Sequence, residues 1–414
     1  MRKIDSQIIY ALKAKRGDSL FTKVPALRNA ALTDDKGRVK VVIHTLSPLS
    51  YLPGLLDKIK AIAGVEIVNA PTNLNRIIAL IPLDFADLAN NIRALANAGA
   101  KIIVDDVYWT SAPAFQDGVI AQAVNEVTSK GVLYFSSAGN SGNYNDGTSG
   151  VWEGNFSETG AAFGRGTAHN FGGSIASGTA QGAIANTLTA PSGYITLQWS
   201  DTFYNSTNDY DLYVLDSTGS QVVGASTNVQ AGNAFPFEYI GPQAAGNQVV
   251  VVRASGQARY LRLDTERGRL SYNTVGQIWG HPAATGAIAV AATSAAGRNS
   301  AFTGGAANPV ETFSSDGPRR VFFNADGSAI TPGNFLSGGG TLRQKPDITA
   351  ADGVATSFPA YPTSYFNPFY GTSAAAPHAA AIADGSEILQ AKSQRSADSE
   401  HPNLNRAGHR SWRL

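Results

Sequence analysis

The chain has 414 residues, 43% of them hydrophobic and 15% charged, with 43 glycines, no cysteine and a formal net charge of +1. This composition predicts a globular protein of two or three domains with ample apolar material for a core. It excludes disulfides, thiol catalysis and Cys-ligated zinc, and the near-zero charge argues against nucleic acid or an anionic membrane as partner. No apolar run reaches the roughly 18 residues that span a bilayer.

Residues 1–37 read as a mixed, basic N-terminal extension without the continuous apolar stretch of a secretory signal. Residues 38–91 read as a small α+β unit. RVKVVIHTL has strand character, and PGLLDKIKAIAG places Leu55, Leu56, Ile59 and Ile62 on one helical face closed by Gly64. VEIVNA and RIIALIPL are two further strands, and DFADLANNIRALANAG is helical. From about residue 98 the pattern becomes α/β: AKIIVDDV is a buried strand, FQDGVIAQAVNEVTSKG a helix, and GVLYFSSAGNSG a strand running into a Gly-rich loop. This order predicts a βαβ unit of a parallel sheet, with chemistry at the carboxyl ends of its strands, near Asp106 and Asn140.

Residues 155–268 alternate with period two between turn signals, as in GYITLQWSD, DYDLYVLDSTGSQVV and QVVVVRAS, and predict an inserted antiparallel β-sandwich. Asp209 and Asp211 could hold Ca²⁺, although acids of this kind more often solvate a turn. The α/β rhythm returns at GAIAVAATS and KPDITAAD and ends in an Ala-rich helix; residues 392–414 form a polar, basic tail.

The sharpest feature is YGTSAAAPHAAAIA, residues 370–383. It sets Ser373 at the start of a helix whose N-terminus stabilises negative charge there, or simply makes it a helix cap. Three further segments stand in order around it: SSAGNSG, GHPAATGAIAVAAT, and the pair FSSDGP and KPDITAADG. Together these segments resemble the subtilisin-like serine peptidases over residues 92–154 and 269–391. The resemblance implies a three-layer α/β domain with a parallel sheet, and likens residues 38–91 to the pro-domain of that family. It also implies Ser373 as nucleophile and Asn140 as the donor to the oxyanion, where an Asx-turn residue is the plainer reading.

The Asp motif and the His-bearing helix start of the family are missing, as though the segment carrying them were absent. Of the six histidines, His44, His169, His281, His378, His401 and His409, none stands where the base should be; His281 opens a strand in G-H-P and His378 points away from Ser373. Alternation along AKIIVDDV puts Asp106 on the face of Ile102 and Val104, opposite Ile103 and Asp105. By resemblance Asp106 lies beside the nucleophile. It could serve as an acid-working base in the manner of the related sedolisins, or contact substrate, or cap a helix.

Val107, Tyr108, Trp109 and Gly139 are the expected substrate-binding wall, beside which a peptide would lie extended. The resemblance implies a peptide or protein substrate, no cofactor and a monomer. The family is usually secreted. The rival is an inactive pseudopeptidase or binding module that keeps the scaffold and the β-sandwich; an esterase of the α/β-hydrolase type is disfavoured because no G-x-S-x-G occurs.

Overall fold

The computed structural model describes residues 88–172, 184–232, 234–295 and 307–384 with their side chains, and before them the backbone of three strands and the start of a helix. The N-terminal extension, the helix expected at 53–64 and the polar tail lie outside the described residues. Strands β1 (Arg38–His44), β2 (Glu66–Asn69) and β3 (Arg76–Pro82) form an antiparallel sheet in the order β1-β3-β2. Helix α1 (Phe85–Asn97) follows, then β4 (Ile102–Asp105), helix α2 (Val119–Ser129) and β5 (Leu133–Ser137).

Two later strands, β17 (Ala287–Ser294) and β20 (Ile348–Asp352), complete a four-stranded parallel sheet in the order β20-β17-β5-β4. Alternation along these strands divides their side chains between two faces. Ile103, Tyr134 and Ala287 pack with Ile92 of α1 and Val124 and Val127 of α2. Phe135, Val290, Ala292 and Ala350 pack with Ala375, Ala376, Ala379 and Ala380 of α3, the helix of residues 372–384. Alanine is what this second interface requires, because its small side chain lets α3 lie close to the strands while retaining the best helix propensity.

Between β5 and β17 the chain is antiparallel. Strands β6 (Val151–Asn155), β7 (Glu158–Phe163), β8 (Gly166–His169), β9 (Asn186–Ala190), β10 (Ile195–Trp199) and β11 (Asp209–Leu215) are followed by β12 (Val222–Ser226), β13 (Phe237–Ile240), β14 (Gln248–Ser255), β15 (Tyr260–Asp264) and β16 (Arg269–Leu270). They build one sheet in the order β13-β10-β15-β6 and a second running β12-β11-β14-β8-β7, with β9 and β16 at its side. Leu197, Trp199, Leu261 and Leu263 of the first and Leu212, Val214, Val249 and Val251 of the second share one buried core. Antiparallel pairing thus runs from Val151 to Leu270. A short pair, β18 (Arg319–Val321) and β19 (Thr341–Arg343), precedes β20.

Buried polar groups fasten the antiparallel part to the α/β part. The Gln198 side chain accepts from Ala114 N at 2.9 Å and donates to Ala112 O at 3.1 Å. Tyr108 donates its hydroxyl to Glu266 at 2.6 Å. Glu153 lies between the guanidinium groups of Arg262 and Arg319, which are each 1% exposed; these cover the rings of Trp279 and Phe115 at 4.4 and 5.4 Å. Removing one member of such a buried set leaves an uncompensated charge, at a cost of about 3–5 kcal/mol.

Candidate active site

Helix α3 begins immediately after Gly371, whose φ of +125° is a left-handed conformation open to glycine and strained for other residues. A Cβ at Gly371 would also lie only 3.1 Å from Asn140 Nδ2 and 3.8 Å from Ser373 Oγ. The glycine thus lets three elements meet: the loop after β5, the residue before α3 and the first turn of α3. Thr372, fully buried, donates both its backbone N–H, at 3.0 Å, and its hydroxyl, at 2.7 Å, to Asn140 Oδ1. Gly139 N in turn donates to Thr372 Oγ1 at 3.2 Å.

These bonds fix which way the Asn140 amide points. With Oδ1 turned to Thr372, Nδ2 is left buried without a hydrogen-bond partner among the described residues, and Ser373 Oγ is in the same condition. Most buried polar atoms in folded proteins are satisfied, so two orphans flanking one glycine at a helix N-terminus define a place where an acceptor would be held.

Asp352, the last residue of β20 and fully buried, accepts from Gly371 N at 2.7 Å through Oδ2; its Oδ1 has no partner among the described residues. Burial pushes the Asp352 carboxyl up to about 6; the Gly371 N–H opposes this and the charge of Glu311 adds to it. Glu311 is itself raised by burial, against a hydrogen bond from Ser294.

The structure places the other residues singled out in the sequence as follows. Asp106 follows β4 and accepts from Ser137 Oγ at 2.7 Å. Val107 N donates to Asp105 at 3.3 Å, and Val107 and Tyr108 pack on the α1/α2 core. Tyr108 stands edge-on to Trp279, and Trp109, 6% exposed, edge-on to His281. Both rings are therefore committed to the interior, and the wall from 107 to 109 has mainly its backbone to offer a ligand. Gly139 adopts φ +97° next to Ser315 Oγ. His378 Nδ1 turns back on its own helix, 2.7 Å from Ala374 O.

His281 differs from its sequence reading. It lies in a single 3₁₀ turn, His281–Ala283, ahead of β17 rather than opening a strand, because Pro282 supplies no N–H for sheet pairing. The ring is buried, and Nε2 stands 3.1 Å from both oxygens of Asp105. Tyr134 and Ser136 also donate to that carboxylate. Burial pushes Asp105 up, but His281, by charge and hydrogen bond, together with Tyr134 and Ser136, outweighs it and holds Asp105 below the usual carboxylate range. Asp105 shares the strand face of Ile103, which packs toward α1 and α2, whereas Ser373 belongs to the opposite layer. The Asp105–His281 pair therefore does not serve Ser373. No local spacing could have revealed it, since 176 residues separate its members.

Asp209 and Asp211 lie within strand β11 rather than on a turn, at 5% and 0% exposure. Arg165 grips both Asp211 oxygens and reaches Asp209 at 3.4 Å, so a guanidinium stands where a cation would have to coordinate. Among the described residues no group of three His, Asp or Glu side chains could hold a metal ion, and no helix is long and apolar enough to cross a membrane.

Comparison with known proteins gives one family. The subtilase family model matches residues 200–385, a span that includes Ser373 and Asp352 but not Asn140 or Asp106. No curated protein matches. Among solved structures, the Clostridium perfringens CspB protease is 15% identical, with a TM-score of 0.38 over 72% of this chain. A Paenibacillus cycloisomaltooligosaccharide glucanotransferase complexed with cycloisomaltoheptaose is 12% identical, with a TM-score of 0.15 over 51% of this chain and 41% of its own. The chain spans 58% of the length of the CspB protease structure. By this match, residues 200–385 of the chain are similar to the subtilase family.

Proposed function

We propose that the chain is a serine endopeptidase in which Ser373 attacks a peptide carbonyl and Asn140 Nδ2 donates to the oxygen that becomes negative. The observation that carries this reading is the pair of buried atoms without a partner among the described residues, Asn140 Nδ2 and Ser373 Oγ, on either side of Gly371. A preorganised donor at this point is worth about 3–4 kcal/mol of transition-state stabilisation. Ser373 Oγ bonds to the carbonyl carbon, the C–N bond breaks, the amine leaves with a proton, and water then releases the acyl group.

The proton from Ser373 needs an acceptor. Asp106 is our choice, since alternation sets it on the α3 side of the sheet with Ile102, while Ser137 holds its carboxylate. A carboxylate base would place the activity on the acid side of neutrality. In this reading the parallel sheet with α1 and α2 on one face and α3 on the other is the three-layer domain, residues 38–91 a pro-domain-like unit, and the paired antiparallel sheets a β-sandwich insert. A monomer would bind its peptide along the backbone of Val107, Tyr108, Trp109 and Gly139, without a cofactor.

A second reading has its own support. Ser373 Oγ has no hydrogen-bond partner among the described residues, which fits a pseudopeptidase that keeps the scaffold for binding. A fluorophosphonate serine probe, applied between pH 3 and pH 9 with Ser373→Ala as control, separates the two. Labelling that vanishes in the variant supports the peptidase; a folded parent that stays unlabelled at every pH leaves the pseudopeptidase.

A further inference from the structure

Where the antiparallel sheets meet the amino end of α2, a cavity of about 520 Å³ opens that shares no lining residue with the Ser373 site. That volume is in the range of small-molecule sites. One wall is aromatic: Phe203, Tyr204 and Phe235 stand with ring centroids 4.7 to 5.2 Å apart. Tyr204 and Phe235 are 62% and 46% exposed, an unusual cost for aromatic rings.

The opposite wall is the first turn of α2. Gly118 at its N-cap provides no side-chain cap, and the first hydrogen bond into the helix runs from Gln122 N to Gly118 O at 2.9 Å. The amides of Val119, Ile120 and Ala121, all on the cavity wall, therefore have no acceptor among the described residues. Asp117, the acid beside this turn, is neutralised by both Nη atoms of Arg343, at 2.7 and 3.0 Å. Asp326, at the rim, accepts from Ser328.

His281 also lines the cavity; its side chain is 2% exposed and Asp105 holds its Nε2. Free helix amides carry a partial positive charge suited to an anion, and stacked rings favour a third aromatic group.

We propose that this cavity binds an aromatic carboxylate, with its ring against Phe203, Tyr204 and Phe235 and its carboxylate on the open amides of α2 beside His281. Two sources carry this chemistry: a free aromatic acid, and the C-terminal aromatic residue of a peptide. The site stands independently of the Ser373 reading, so the test uses the Ser373→Ala protein.

Titration calorimetry with phenylacetate, N-acetylphenylalanine and N-acetylphenylalaninamide decides it. At least one acid should bind with a Kd of about 1 mM or tighter, and the amide about tenfold or more weaker. Phe235→Ala, which removes an exposed ring and leaves the fold intact by circular dichroism, should weaken the acid by a similar factor. Tighter binding of phenylacetate identifies the free acid as the source, and tighter binding of N-acetylphenylalanine the peptide terminus. Absence of saturable binding by both acids, equal binding of the amide, or indifference to Phe235→Ala would overturn the proposal.

Discussion

Two substitutions separate the hydrogen bonds that Asn140 accepts through Oδ1 from the oxyanion contact proposed for its Nδ2. Its Oδ1 accepts from Thr372 N and Oγ1, both in fully buried Thr372, whereas its Nδ2 has no partner among the described residues. Asn140→Ala strips the acceptor from both donors. An unsatisfied buried donor costs about 1–3 kcal/mol, so the variant should lose on the order of 2–4 kcal/mol of stability. Asn140→Asp keeps the acceptor and places its new charge at the amino end of α3, where the helix dipole favours it, so stability should stay within about 1 kcal/mol. It replaces the donor by an oxygen, and labelling of Ser373 should fall about 100-fold or more, as when an oxyanion donor is removed. Urea unfolding followed by tryptophan fluorescence gives the first quantity and fluorophosphonate labelling rates the second. If the Asp variant labels at the parent's rate, Nδ2 is not the oxyanion donor. If the Ala variant is as stable as the parent, the two bonds to Thr372 do not hold α3 in place.

Two buried titrating groups give further predictions. Because the Asp352 carboxyl is raised to about 6 in the fold, the stability it contributes is present at low pH and lost as pH rises through that value. Asp352→Asn keeps an acceptor for Gly371 N and should be more stable than the parent at pH 8, with the gap closing by pH 4.5; destabilisation at pH 8 in urea unfolding would contradict this. His169, in contact with the rings of Trp152, Phe156 and Phe171, is lowered by burial to about 3. Its contribution is intact above the ordinary histidine value and falls away below it, on the order of 5 kcal/mol in all. His169→Gln should flatten the fall in unfolding free energy between pH 6.5 and pH 4, and a variant with the parent's slope would remove His169 as its cause.

The sequence by itself marked the mixed α/β class with its parallel and antiparallel parts. Period-two alternation marked the antiparallel strands, apolar runs the parallel ones, and a Ser ahead of an Ala-rich stretch the start of α3, because each signal lies within a few residues of chain. It also set Asp105 and Asp106 on opposite faces, since side chains alternate along a strand. Tertiary structure alone decided the pairings. Asn140 meets Thr372 across 232 residues, Asp105 meets His281 across 176, and Arg165 crosses 46 to close on Asp211. Periodicity carries no information about such partners: a buried polar side chain is satisfied by whatever group the packing of distant elements brings within hydrogen-bond reach. For the same reason the sequence could point to Ser373 and Asn140, while only the packed chain could leave their side-chain atoms buried and unpaired on either side of Gly371.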